Sequence, residues 1–159
     1  MKEDAMMNNM IKKLVEDYGH QLIDNRRYLH AHPELSFKER QTAAWIRQRL
    51  QAAGIPILKG IHGNSTVGYL KGTQPGPAIG FRADIDALGL TEENDLPYKS
   101  QHCGVMHACG HDAHTAVLMA MAEILAQHKE CIHGTVYFIF QQAEEYLPGG
   151  AKGLVEDGV

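Results

Sequence analysis

The sequence predicts an α/β fold built around a central sheet, and three observations carry that expectation. Helical apolar periodicity alternates along the 159 residues with short β-branched and aromatic runs. One run, "GTVYFIFQQ", is apolar on both faces, as a central strand covered by helices would be. Clusters of chemistry-bearing residues follow such runs, where open α/β sheets gather their functional groups.

The elements can be justified in chain order. Met7, Ile11, Leu14, Tyr18, Leu22 and Leu29 trace a helical stripe that Pro33 must end. Ser36 followed by Glu39 reads as a capping box, each side chain satisfying the other's backbone donor. It opens a second helix through "TAAWIRQRLQAA", which Gly54 closes. "STVGYLKG" and "AIGFRAD" read as strands on either side of the turn-rich "GTQPGP". "HTAVLMAMAEILAQH" is apolar around most of its circumference, so a deeply packed helix is expected. A short helix in "GAKGLVEDG" stops at Gly158. No repeat, low-complexity segment or linker interrupts the pattern, and one domain is expected.

Composition narrows the function classes. The apolar share of 44% and charged share of 21% are those of an ordinary globular protein. A net charge of −4 without a basic stripe argues against nucleic acid and anionic membranes as partners. No apolar run approaches the roughly 18 residues of a membrane span. "MKEDAMMNNM" has no apolar h-region and no arginine-rich transit character. Three cysteines make no disulfide framework, so a cytoplasmic location is expected. Cys131, before a strand, reads as packing and Cys103 as loop.

Three polar clusters remain. Asp84 and Asp86 end one strand, His107 to Asp112 precede the buried helix, and Glu144 and Glu145 follow "TVYFIFQQA". Strand-end placement predicts that they converge at one sheet edge, although the first and last lie 60 residues apart. Thiolate, imidazole and carboxylate are the ligands of a borderline-soft divalent ion such as zinc. In a helix, Cys109 and His111 would point about 200° apart, so both are expected before the helix and not within it. Of two adjacent glutamates, a metal that captures one leaves the other as a base. A glutamate beside a metal-bound water is the working pair of a metallohydrolase.

Blander readings compete. Cys109 alone would be a small buried hydrophobe, and the glutamate pair alone a helix start favoured by the macrodipole. A structural zinc site of Cys103, His107, Cys109 and His111 is a further alternative, but their spacing lacks the usual pairing and leaves the glutamates without a task. A non-catalytic module using Cys109 and His111 as a metal clip or partner surface is the alternative in a different class. Serine-type acyl transfer is rejected because no Gly-x-Ser-x-Gly elbow exists. His30 and His32, in "HAHPE", read as helix-end capping or surface.

"RRYLHAHPELSFKE", "FRADIDAL", "GVMHACGHDAHTA" and "AEE", in this order and spacing, resemble the aminoacylase-like metallo-amidohydrolases. The branch is that of hippurate hydrolases, indole-acetyl-amino-acid hydrolases and N-acetyl-diaminopimelate deacetylases, and the similarity runs from Tyr28 to Val159. The resemblance implies a three-layer, zinc-peptidase-like α/β catalytic domain with a mixed central sheet, residues 1–159 being its N-terminal portion. It implies hydrolysis of the amide bond of N-acyl amino acids or small peptide-like substrates by a homo-oligomer. The implied cofactor is a pair of divalent ions drawn from zinc, manganese, cobalt or nickel. By the same resemblance Cys109 and His111 match metal ligands, with the cysteine able to bridge two ions. Glu144 matches the general base, Glu145 a further ligand, and Asp84 and Asp112 orienting groups near the metal. Gln142 and Gly89 stand where the family usually has proline, so altered loop stiffness is expected there. Family members are more than twice as long. Their remaining metal-binding histidines, dimerisation domain and C-terminal half lie beyond the point matching Val159. The 159 residues alone are therefore expected to be inactive and prone to self-association.

Overall fold

A computed structural model describes residues 2–159, with side chains described from Asn8 onward. Helix α1 (Lys2–Ala31) extends the expected helix at both ends. The side chain of Met7, first residue of the predicted stripe, lies outside the described residues. The His32 imidazole donates from Nδ1 to the Tyr28 carbonyl at 2.8 Å, capping the helix end just before Pro33.

Helix α2 (Arg40–Ala52) starts where expected but not by the expected device. Ser36 donates its hydroxyl to Asp86 at 2.7 Å, and the Glu39 carboxylate turns to the backbone of Phe37 and Ala143. Glu34 does the capping instead. Its carboxylate accepts the N–H groups of Gln41 (3.2 Å) and Thr42 (2.8 Å), and the Thr42 hydroxyl (2.9 Å). A negative charge there also meets the positive end of the helix dipole. At the other end Gly54 takes φ +69°, its N–H bonding Gln51 O while Ile55 N–H bonds Leu50 O. This is a Schellman closure, sealed by the buried pair Leu50 and Ile55.

Strands β1 (Thr66–Lys71), β2 (Gln74–Asp84) and β3 (His133–Gln141) form one sheet in the order β1-β3-β2. The expected "GTQPGP" turn makes no hairpin: its last four residues already belong to β2, and β3 inserts between β1 and β2. β3 is antiparallel to β1 and parallel to β2, giving a mixed sheet. A parallel neighbour requires a crossover, and helix α3 (His111–Gln127) supplies it. Helix α4 (Ala151–Glu156) follows, and Gly158 ends it at φ +90°.

Phe138 and Phe140 of β3 pack with Ile46 and Leu50 of α2 and Leu118, Met119 and Ala122 of α3 to form the core. α1 lies against α3. α3 is deeply packed, as expected, although Val117 stays 55% exposed. Helical cover on both faces of β3 is not complete: Tyr137 and Ile139, on the face opposite Phe138, are only half-buried. Cys131 is exposed rather than packed, and Cys103 is exposed on its loop. No helix among the described residues is long and apolar enough to cross a membrane.

Two substitutions separate packing from backbone conformation at the end of α2. Leu50→Ala should cost about 2–5 kcal/mol through lost burial and a cavity. Gly54→Ala should cost about 1–2 kcal/mol, since a Cβ there meets no atom within 4 Å and only the left-handed backbone is penalised. Urea unfolding of both variants is the check. A Gly54→Ala loss matching that of Leu50→Ala would contradict this closure.

Candidate metal centre

β2 and β3 end side by side, with Asp84 opposite Gln141, and the ladder continues one residue through Ile85 N–H to Gln141 O at 2.9 Å. Asp86 and the Glu144–Glu145 pair thus leave the sheet at one edge. α3 begins over that edge, held by the Thr115 hydroxyl donating to Asp84 O at 3.0 Å. Gly110 caps α3 at φ +104°. That turn lets Cys109, before the helix, and His111, its first residue, face the same point. The expectation that both precede the helix is therefore corrected for His111.

Donor atoms of Cys109, His111 and Glu145 lie within 4.8 Å of one another. His111 is buried, Glu145 half-buried and Cys109 exposed. The imidazole is held by its far nitrogen: Nδ1–H donates to Asp86 O at 2.9 Å, with Asp86 Oδ1 at 3.3 Å. This fixes the tautomer and turns Nε2 toward the glutamates, 3.8 Å from Glu144 Oε2 and 3.9 Å from Glu145 Oε1. Glu145 Oε1 is buried without a hydrogen-bond partner among the described residues. An imidazole lone pair, a thiol and an orphaned carboxylate oxygen around one point suit a divalent cation. Glu144, 44% exposed at its side chain, stands beside the trio and open to solvent.

Electrostatics follow from the crowding of acids. The Asp86 carboxylate and carbonyl beside His111 outweigh its burial and push the imidazole up to about 9. Glu145 beside the Cys109 thiol, then burial, raise that thiol above its ordinary 9.0. Burial pushes Asp86 up, but hydrogen bonds from His111, Ser36 and the Glu144–Glu145 backbone overcome it and hold the carboxyl well below the usual carboxylate range.

Asp86 is the residue that the sequence placed at the strand end without a role. Besides His111 it accepts Ser36 Oγ–H at 2.7 Å and Glu145 N–H at 3.0 Å. Neither Asp84 nor Asp112 hydrogen-bonds to the trio. Asp84 pairs with Arg82 at 3.4 Å, and burial raises its pKa. Asp112 accepts His30 Nδ1–H at 2.6 Å and pairs with Arg26 Nε at 3.0 Å, fastening α3 to α1. His30 Nε2 meets Glu92 at 3.1 Å, so His30 is a buried bridge and not the surface histidine expected. His107 is buried, its ring nitrogens without partners among the described residues, and burial lowers it to about 4. It does not join Cys109 and His111, so the four-ligand zinc arrangement is not assembled. Gln142 ties the turn down in a way proline could not. Its N–H donates to Ser65 Oγ at 3.1 Å, and its Oε1 accepts Asn64 N–H at 2.6 Å.

Residues 80–159 match the family model described as peptidase family M20/M25/M40. The chain is 46% identical over 154 residues to the N-acyl-L-amino acid amidohydrolase of Geobacillus stearothermophilus, which covers 97% of this chain and 42% of that one. It is 42% identical over 147 residues to thermostable carboxypeptidase 1 of Saccharolobus solfataricus, covering 91% and 37%. Among solved structures, the Bacillus subtilis YXEP protein, described as a dinuclear metal binding peptidase, superposes with a TM-score of 0.85. That match has 44% identity and covers 90% of this chain and 40% of that one. The chain thus spans about 40% of the length of the relatives it matches.

Ligands must be deprotonated to bind a metal, so the raised thiol and imidazole set a pH dependence. Below pH 9 both hold their protons, and metal uptake must release them. Zinc affinity should then rise by about two logarithmic units per pH unit between pH 6 and 8. Calorimetry in buffers of different ionisation enthalpy counts those protons, and a count near zero would contradict this ligand pair. Asp86→Ala should weaken zinc binding by about tenfold. The carboxylate 3.3 Å from His111 and its bonds to Ser36 and the Glu145 N–H are lost, while the backbone carbonyl still holds Nδ1.

Proposed function

The chain belongs to peptidase family M20/M25/M40, and on that footing we propose that Cys109, His111 and Glu145 hold a divalent ion while Glu144 serves as general base in amide hydrolysis. The observation that carries this reading is the trio of donors within 4.8 Å, with a second, solvent-open carboxylate next to it. The ion, when bound, polarises the scissile carbonyl and acidifies water. Glu144 takes the proton of the attacking water and delivers it to the leaving amine nitrogen. Asp86 keeps Nε2 of His111 aimed at the ion, and Glu145 supplies the carboxylate ligand.

The proposed substrates are N-acyl amino acids or small peptide-like compounds. An N-acyl amino acid and a peptide C-terminus share one chemistry, an amide nitrogen carried by an α-amino acid. The amidohydrolase and carboxypeptidase relatives support that class. Three donors suffice for one catalytic zinc with an open position. A second divalent ion, for which further donors beyond the trio would be needed, is part of the proposal, supported by the dinuclear relative. Zinc, manganese, cobalt and nickel all suit this ligand set. A homo-oligomer working in a reducing cytoplasm fits the free cysteines and exposed apolar side chains such as Leu147 and Val155. A purely structural metal clip is disfavoured, because structural zinc sites are closed and this one leaves Cys109 and Glu144 exposed.

Metal content after chelator-free purification tests the site. The chain should carry metal, and the Cys109→Ala, His111→Ala double variant should not. Equal content in both would show that the motif is not the site. In a catalytically active protein carrying this sequence, Glu144→Gln should keep its metal and lose about 10²–10⁴-fold in rate on an N-acetyl amino acid. Glu145→Gln should lose metal as well. The reverse pattern would exchange the two roles.

A further inference from the structure

Glu39 is a buried acid that neither the core nor the helix start accounts for. Its side chain is fully buried, yet its hydrogen-bond partners are all neutral. Oε1 accepts the N–H groups of Phe37 at 2.9 Å and Ala143 at 2.8 Å, while Oε2 accepts Asn64 Nδ2–H at 2.9 Å. Burying a carboxylate without a cation is costly, and burial pushes this one's pKa up against its hydrogen bonds. Capping does not explain that cost, since Glu34 caps α2.

The identity of the donors does. Phe37 at φ +64° and Ala143 at φ +51° are the non-glycine residues in the left-handed region among those described. A side chain with a Cβ rarely adopts that conformation unless its surroundings impose it. One oxygen of Glu39 grips both. Ala143 is 104 positions away in sequence and immediately precedes Glu144 and Glu145. Its carbonyl is held from the other side by Gly150 N–H at 2.9 Å.

We propose that Glu39 is a positioning residue: its buried carboxylate holds Ala143 in the left-handed turn and so aims Glu144 and Glu145 at Cys109 and His111. The inference rests on the metal-site reading above for what the turn positions. The clamp itself is a separate matter of backbone geometry. A carboxylate suits the task because both of its oxygens accept. Glutamine at this position keeps Oε1 for the two N–H groups, and its amide can donate to Oδ1 of Asn64 once that side chain turns over. Methionine fills the space and offers no acceptor.

The test uses the chain itself, with cobalt(II) as probe and amide hydrogen exchange as a readout that needs no metal. Glu39→Ala should speed exchange of the Ala143 amide by about tenfold or more while leaving Phe138 in β3 unaffected. It should weaken cobalt binding about tenfold or more while the thiolate-to-cobalt absorption from Cys109 persists. In a Glu145→Ala background, Glu39→Ala should cause no further loss of affinity, because the group it positions is gone. Glu39→Gln, which keeps the acceptor, should stay close to the parent, while Glu39→Met, which fills the space without one, should match Glu39→Ala. Unchanged protection of Ala143 in Glu39→Ala, additive losses with Glu145→Ala, or a Glu39→Gln loss equal to that of Glu39→Met would each overturn the proposal. Should Glu39→Ala fail to fold, the methionine and glutamine variants decide it. Failure of the unmutated chain to bind cobalt would sink the metal reading, while the amide exchange still judges the clamp.

Discussion

The parallel pairing of β2 with β3 is the constraint on which the rest depends. Because Asp84 sits opposite Gln141, whatever follows each strand must emerge at the same edge. The connection between parallel neighbours must cross over, and here it is α3, whose first turn is pinned to that edge by Thr115. Three segments far apart in sequence, at 84–86, 109–112 and 144–145, are thus delivered to one place by strand direction alone. Antiparallel pairing of β2 and β3 would have sent the glutamates to the opposite end of the sheet.

Convergence brings acids together, and their mutual repulsion has to be answered. Asp86 answers it with hydrogen bonds from the Ser36 hydroxyl and the Glu145 N–H, and with the His111 ring, which bonds its carbonyl and lies 3.3 Å from its carboxylate. Glu39 does the same one layer back, from Phe37, Ala143 and Asn64. These two buried carboxylates join the 36–39 loop to the 142–145 turn, so two irregular segments behave as one wall beside the trio. Glu145 keeps an oxygen without a partner, and Cys109 and His111 hold their protons tightly. A divalent cation answers both conditions at once, accepting the oxygen and displacing the protons.

Much of this was legible in the sequence. Period and composition located the four α-helices and the three strands, β2 beginning four residues earlier than expected. Strand-end placement sent the three polar clusters to one edge, while the family resemblance singled out Cys109, His111 and Glu145 among them. What was illegible depended on competition between groups. Ser36 and Glu39 satisfy the capping-box pattern, but Asp86 and Ala143 draw them away and Glu34 takes the role. Asp84 and Asp86 look equivalent in "RADID", and only the position of α3 over the strand end decides which meets His111. His30 looked superficial because its partners, Asp112 and Glu92, lie 82 and 62 residues away. The helical cover of "GTVYFIFQQ" was overread because apolar residues on both faces say what a strand can bury, not what packs on it.

X-ray absorption at the zinc edge is the most direct measurement of the central claim, that Cys109, His111 and Glu145 share an ion. The zinc-loaded chain should show one sulfur scatterer at about 2.3 Å with nitrogen and oxygen scatterers at about 2.0–2.2 Å. Cys109→Ala should remove the sulfur shell alone. A spectrum without sulfur, or a sulfur shell that survives Cys109→Ala, would contradict the assignment.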